Sequence, residues 1–169
     1  YDAKDSLVAF SAKGNAPFSF TGTSIDAGAL SVSAAGDLSF GPLGKDLFRA
    51  DLKGSAAFTS GAALGFAQGR ITAGDSLSFV AEGAAIFSGA SLRATGHLLG
   101  SAASVTLDDL SGRPELVAEA GSMILAAAGD LKNTGGLIQG GQKFDGVATG
   151  SGVEAAGAVV GAAGDKQAD

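Results

Sequence analysis

The residues able to do chemistry are few and scattered. His97, in "RATGHLLG", is the one histidine of the chain, and there is no cysteine. A transition-metal site draws on three or four nitrogen and sulfur donors, so His97 without co-ligands reads as a structural or surface residue. Asp108 and Asp109 are adjacent; on a strand, neighbours project to opposite faces, so the two do not form a carboxylate pair and read as a charged loop. Gly-Asp recurs at 36-37, 74-75, 129-130 and 164-165, with the aspartates spaced by 38, 55 and 35. Calcium-binding solenoids stack their aspartates regularly within a Gly-Gly-x-Gly-x-Asp nonapeptide, absent here, so these are expected to be turn aspartates. "GSGVEA" at 150–155 lacks the third glycine of a phosphate loop, and no Gly-x-Ser-x-Gly elbow appears. The expectation is a protein without catalytic residues, cofactor or metal.

Composition bears on what such a chain can bury. Ala (34) and Gly (28) fill 62 of the 169 positions, which argues against a bulky globular core and for many turns or close backbone packing. The net charge of −6, with its eleven Lys and Arg scattered, argues against nucleic acid as a partner. Without cysteine there is no disulfide framework, a composition compatible with export in an unfolded state. The longest bulky stretch, "MILAAA", is six residues, against about 18 for a membrane-spanning helix. With no Trp and only Tyr1, the aromatic girdles of an outer-membrane barrel are missing too. "YDAKDSLVAF" has neither an initiating Met nor the basic-then-apolar order of a signal peptide, so the chain reads as a piece of something longer.

The phenylalanines set a period. Phe20, Phe40, Phe58, Phe79 and Leu99 follow one another in steps of 20, 18, 21 and 20; Phe10, Leu30, Phe48, Phe66, Phe87 and Leu107 follow in steps of 20, 18, 18, 21 and 20. A looser series runs through Leu52, Ile71, Leu92 and Leu110. Around them, "FSF", "LSV", "LSF" and "VTL" alternate with period two, the pattern of strands with one buried face, separated by Gly, Ser, Asp and Ala turn residues. Only "VEAAGAVVGAA", 153–163, could form a short helix. Coils of about 18–21 residues with two or three strands each are the arithmetic of a parallel β-helix, in which the three series form stacked interior columns. The alternative is an antiparallel β-sandwich, disfavoured by the persistence of the long period and by the lack of Asn-Gly or Asp-Gly hairpin turns.

After "DDLSGRPE", expected to be an insertion from Asp108 to Glu115, the rhythm resumes at "GDLKNTGGLI". Gly129, Leu131, Asn133, Gly135, Gly136 and Ile138 resemble the repeat of filamentous haemagglutinin-like exoproteins, with weaker echoes at 24–40 and 70–83. Leu131 and Ile138 are expected to point inward, Asn133 to hold neighbouring backbone and tolerate a left-handed conformation, and Gly135 and Gly136 to permit positive φ. Ile124 and Phe144, another step of 20, carry the period across the segment.

The resemblance implies a right-handed parallel β-helix in a two-partner-secreted surface protein of Gram-negative bacteria. Such a protein is an adhesin, or a filament carrying a contact-dependent growth-inhibition toxin. It also implies an outer-membrane transporter as partner during secretion, and a host or neighbouring-cell surface, protein or glycan, as the target. The expected organisation is a β-helical repeat region over 1–144 and a last weak coil, cap or linker over 145–169. The expected role is a noncatalytic, stiff stalk in a virulence-associated filament. The alternatives are a carbohydrate-active β-helix enzyme, which needs carboxylates converging from adjacent coils, and a self-associating solenoid module.

Overall fold

The computed structural model describes residues 2–148, 153–156 and 159–162. Among them there is no helix. Strands β1 (Asp2–Ala12) and β2 (Phe18–Thr21) are followed by β3 (Ser24–Ala34) and β4 (Leu38–Gly41). The chain then proceeds in threes: β5 (Phe48–Leu52), β6 (Ala56–Ser60), β7 (Leu64–Ala67); β8 (Gly69–Ala73), β9 (Leu77–Ala81), β10 (Ala84–Ser88); β11 (Ser91–Ala94), β12 (Leu98–Ala102), β13 (Ser104–Asp108). Next come β14 (Glu115–Ala118), β15 (Met123–Ala127), β16 (Leu131–Thr134); β17 (Leu137–Gly140), β18 (Phe144–Ala148), β19 (Val153–Ala156); and β20 (Val159–Ala162). Each strand pairs in parallel with its counterpart in the next coil, one full turn away. Two-residue hairpins cannot make such connections, so the antiparallel sandwich is excluded. The protein is a parallel β-solenoid of about seven turns, consistent with a right-handed parallel β-helix.

The solenoid has three faces. Face 1 runs from the first halves of β1 and β3 through β5, β8, β11, β14, β17 and β20; face 2 from the second halves of β1 and β3 through β6, β9, β12, β15 and β18; face 3 is β2-β4-β7-β10-β13-β16-β19. The eleven-residue β3 rounds the corner between faces 1 and 2 without a break, which joins those faces into one hydrogen-bonded sheet.

Alternation places the interior. In β9, Leu77, Phe79 and Ala81 are buried while Val80 is exposed. In register, face 3 stacks Phe20, Phe40, Phe66, Phe87 and Leu107. Its rings lie nearly parallel, with Phe40–Phe66 centroids at 4.6 Å and Phe66–Phe87 at 5.5 Å. Face 2 stacks Val32, Phe58, Phe79, Gly100 and Leu125. The two ring columns meet edge-on, Phe58 against Phe66 at 5.4 Å and 84°, a favoured aromatic geometry. Face 1 contributes Ile71, Leu92, Leu116 and Ile138. Buried alanines fill strand ends beside the corners, among them Ala34, Ala73, Ala94 and Ala118.

Register corrects several sequence expectations. The two phenylalanine series each mix faces: Phe58 and Phe79 belong to face 2, whereas Phe20 and Phe40 stack with Phe66 and Phe87 on face 3. Phe10 partners Val32, Leu30 partners Ala56 and Phe48 partners Gly69, so these three do not form one column. Leu99 points outward and is 44% exposed, because the face-2 column beyond Phe79 is continued by Gly100. Ile124 is likewise outward, and Met123 rather than Ile124 partners Phe144. Leu110 is 87% exposed on a loop. The period by itself does not reveal on which face of a three-sided coil a residue falls.

Some coils in register are longer than the expected 18–21: Phe87 to Leu107 is a step of 20, but Leu38 to Leu64 is a step of 26. Much of the excess lies in two loops at one edge, between faces 3 and 1. One is the expected insertion, after β13, which spans 109–114; the other, 42–47 after β4, has no counterpart in the sequence expectation. It closes on itself through reciprocal backbone bonds between Leu43 and Asp46.

The stretch 153–163, the one place where a short helix could form, is β19 and β20 where described, since pairing with β16 and β17 outweighs weak helix propensity. The sheets therefore extend beyond residue 144. Residues 149–152, 157–158 and 163–169 of the 145–169 segment lie outside the described residues.

Candidate functional site

The haemagglutinin-like segment builds one corner. Leu131 and Ile138 are fully buried, at the end of face 3 and on the following strand of face 1. Asn133 follows Leu107 in the face-3 interior column and is itself 1% exposed. Its side chain satisfies its buried polar atoms locally: Oδ1 accepts from the Gly136 amide at 3.0 Å, and Nδ2 donates to the Gly136 carbonyl at 3.2 Å.

Between them Gly135 has φ +74°, a left-handed conformation that turns the chain from face 3 to face 1. Asn133 is an ordinary strand residue. Gly136 has no positive φ; there a Cβ would sit 2.5 Å from Asn133 Oδ1 and 3.0 Å from Leu107 and Pro114 side-chain carbons, so space rather than torsion demands glycine. Among the described residues every positive φ falls at this same edge, at Gly22, Gly44, Gln68, Gly89, Gly112 and Gly135. Gln68, the non-glycine among them, donates from Nε2 to the Ser111 carbonyl at 3.2 Å, tying its corner to the loop at 109–114. Gly129 sits against Ala103 of the preceding coil, with its amide 2.6 Å from that carbonyl.

The other chemistry-bearing residues are dispersed. His97 is exposed at the corner before β12, where its Nδ1 accepts from the Ser122 amide of the next coil at 3.0 Å. Asp108 accepts from Ser88 Oγ at 2.6 Å and from the Leu110 amide, while Asp109 lies over Gly135; the two carboxylates diverge. Of the Gly-Asp dipeptides, Asp37 accepts from the Ala63 amide, Asp75 from Ser55 Oγ, and Asp130 lies 3.8 Å from Lys132. Gly164-Asp165 lies outside the described residues. Among the described residues no group of three or more His, Cys, Asp or Glu side chains is placed to hold a metal ion.

The described surface includes two open depressions. One of about 360 Å³ lies beneath the loop 42–47, with Lys45, Asp46 and Arg49 of mixed sign in its lining. The other, about 470 Å³, is lined by Asn15, Asp37, Glu82 and the corner backbone between them. Neither encloses a polar group that lacks a partner, since no buried side-chain nitrogen or oxygen is unsatisfied among the described residues.

What the arrangement offers is surface, and its three faces differ. Face 1 carries a charge ladder. Arg70 reaches Asp51 at 3.3 Å; Arg93 reaches Glu115 at 2.8 Å and Glu119, in the corner that follows face 1, at 3.8 Å. On face 3 the outward column runs Ser19, Ser39, Gly65, Ile86, Thr106 and Lys132, with the Ser19 and Ser39 hydroxyls bonded at 2.8 Å. Face 2, from the second half of β3 to β15, carries no charged residue. The difference was legible in composition only as a run of strands reading Ser, Thr and Ala; that they share one face required the register.

In comparisons with known proteins, no protein-family model matches the chain, and no curated protein and no solved structure matches it.

Proposed function

We propose that the chain is a structural and adhesive segment of a bacterial secreted cell-surface filament of the haemagglutinin-like kind. It serves as a stiff stalk that holds a binding tip or toxin away from the cell. The observation that carries this reading is the uninterrupted parallel ladder on all three faces, in which each coil is bonded to the next on every side. Shearing such a stack requires breaking three sets of backbone bonds at once, and each added coil extends the rod by about 4.8 Å. The corner at Leu131–Ile138 supports this reading. The lack of cysteine suits passage through an outer-membrane transporter as an unfolded chain. The partners of this reading are that transporter during secretion and a host or neighbouring-cell surface afterwards, protein or glycan.

The test is export and contact. The chain is placed behind a haemagglutinin-type secretion domain and co-expressed with the matching transporter in a Gram-negative host. The expected result is surface-exposed, protease-resistant protein that retains labelled host or neighbouring cells above a transporter-only control. Accumulation in the periplasm, or exported protein that retains no cells, overturns the proposal.

A further inference from the structure

We propose that the loop 109–114 is a strap. It lies along the solenoid axis at the edge between faces 3 and 1, and Gln68, two coils back, is the catch that holds it shut. Ala67, Ser88 and Asp108 partner one another in register, so Gln68, Gly89 and Asp109 each stand first in their corner. Gly135 takes that place in the next coil, where Asn133 partners Leu107. Three of these residues are left-handed, Gln68 at φ +49°, Gly89 at +65° and Gly135 at +74°. Glycine adopts that conformation freely, and a side chain resists it. Gly69 stands next in the chain, yet the left-handed place itself carries glutamine. A side chain kept at a strained position points to a contact that it makes. Here Nε2 donates to the Ser111 carbonyl at 3.2 Å, 43 residues along the chain.

The loop is shaped to reach that catch. Its root is fixed by Asp108, whose carboxylate accepts from Ser88 Oγ of the preceding coil at 2.6 Å and from the Leu110 amide at 3.3 Å. Its turn closes through the Gly112 amide, which donates to the Asp109 carbonyl at 3.2 Å, with Gly112 at φ +122°. The loop then rests on Gly89, where a Cβ would stand 2.5 Å from the Ser111 oxygen and 3.2 Å from the Gly112 nitrogen. On the other side Asp109 covers Gly135, and Pro114 packs beside Gly136. The loop therefore touches the corner of the coil on each side of its own and, through Gln68, the corner of one coil beyond.

The ladders join each strand only to the coils beside it. The strap adds a tie between coils two apart, so the coils from β8 to β14 are held against opening one at a time. It also holds Leu110, 87% exposed, in place on the outside of the loop. Because the catch is a single hydrogen bond from a half-buried side chain, the strap is releasable without unfolding the coils beneath it. The device does not rest on the stalk reading: its failure leaves that reading standing, and failure of export leaves the strap untouched.

Two variants of the full chain separate the catch from the strain. Gln68→Met keeps the length of the side chain and removes the donor; Gln68→Asn suits the left-handed conformation but falls one methylene short of Ser111. Chymotryptic cleavage after Leu110, followed by mass spectrometry, is expected to run roughly five- to tenfold faster in both variants than in the parent, the factor for one lost hydrogen bond. Amide exchange in β8 is expected to rise with it. Replacing 109–114 by a two-residue corner like that at 89–90 is expected to raise β8 exchange to the same degree and to abolish the effect of Gln68→Met there. Cleavage at the parental rate in either variant, or a Gln68→Met effect on β8 that is the same with and without the loop, overturns the proposal. Where the shortened chain does not fold, the cleavage rates decide alone.

Discussion

At the residue scale, two interior positions hold the coils by opposite means. Gly100 makes room: a Cβ there would overlap the Phe79 ring and approach Leu125 Cδ2 at 2.8 Å. Phe79 is 1% exposed and cannot swing out, so Gly100→Ala should lose about 1–3 kcal/mol to overpacking. Phe79→Leu in the same chain should recover most of that loss, a non-additivity that urea midpoints of the two single variants and the double variant would reveal. Asn133 closes a corner instead. Removing its amide with Asn133→Ala strands the Gly136 N–H and C=O inside, which should cost about 2–4 kcal/mol. A variant as stable as the parent in chemical denaturation would mean that water replaces the side chain there. Asn in an otherwise apolar column is visible in sequence as part of a motif. Its partner, three residues on, is not visible, because the same letters also write a hairpin turn.

At the element scale, stability resides in the ring columns rather than in the charge ladder. Phe66 lies between Phe40 and Phe87 in its own column and meets Phe58 of face 2. Phe66→Ala should therefore cost about 3–5 kcal/mol. The Arg70–Asp51 pair is about half exposed on both sides, so Arg70→Gln should change stability by less than about 1 kcal/mol. Thermal or urea unfolding of the two variants side by side checks the ranking, and the reverse order would place the stability on the surface of face 1. The phenylalanine clock made the repeat legible, because stacked coils need like residues at like positions. Assignment to faces was not legible. Phe58 and Phe66 are close in sequence yet belong to different columns. The loop at 42–47 shifts the count, and its Pro42 and Gly44 do not separate it from an ordinary corner, since Pro17 precedes β2 as well.

On the scale of the whole molecule, among the described residues the strands of each coil pair only with those of the coils beside it, so unfolding energy is close to a sum of coil and interface terms rather than one indivisible quantity. Gly141 sits against the Glu119 backbone of the preceding coil, with that carbonyl carbon 2.6 Å from where a Cβ would be. Gly141→Ala should accelerate amide exchange in β17 and β18 by an order of magnitude or more, while β4 and β7, several coils away, keep their protection. Uniform acceleration over all strands would show that the solenoid opens as a single unit. The same one-dimensional organisation separates the surfaces along the rod: charge on face 1, loops at one edge, and an uncharged stretch of face 2 that no short window of sequence displays.

By itself the sequence determined the approximate period and the strand alternation, because these are local or composition-level properties. It also marked Leu131 and Ile138 as interior and Gly135 as a left-handed turn, but not that Gly136 is glycine for space rather than torsion. Tertiary structure alone decided which face each bulky residue lines, that Leu99 and Ile124 look outward while Gly100 lies inside, and that Ser31, Ala57, Ser78, Leu99 and Ile124 stand in one line. The physical reason is that coil length varies, with a step of 20 from Phe87 to Leu107 and of 26 from Leu38 to Leu64. A one-residue slip in a strand exchanges inside for outside, so only the hydrogen-bonded register turns a rhythm into a surface.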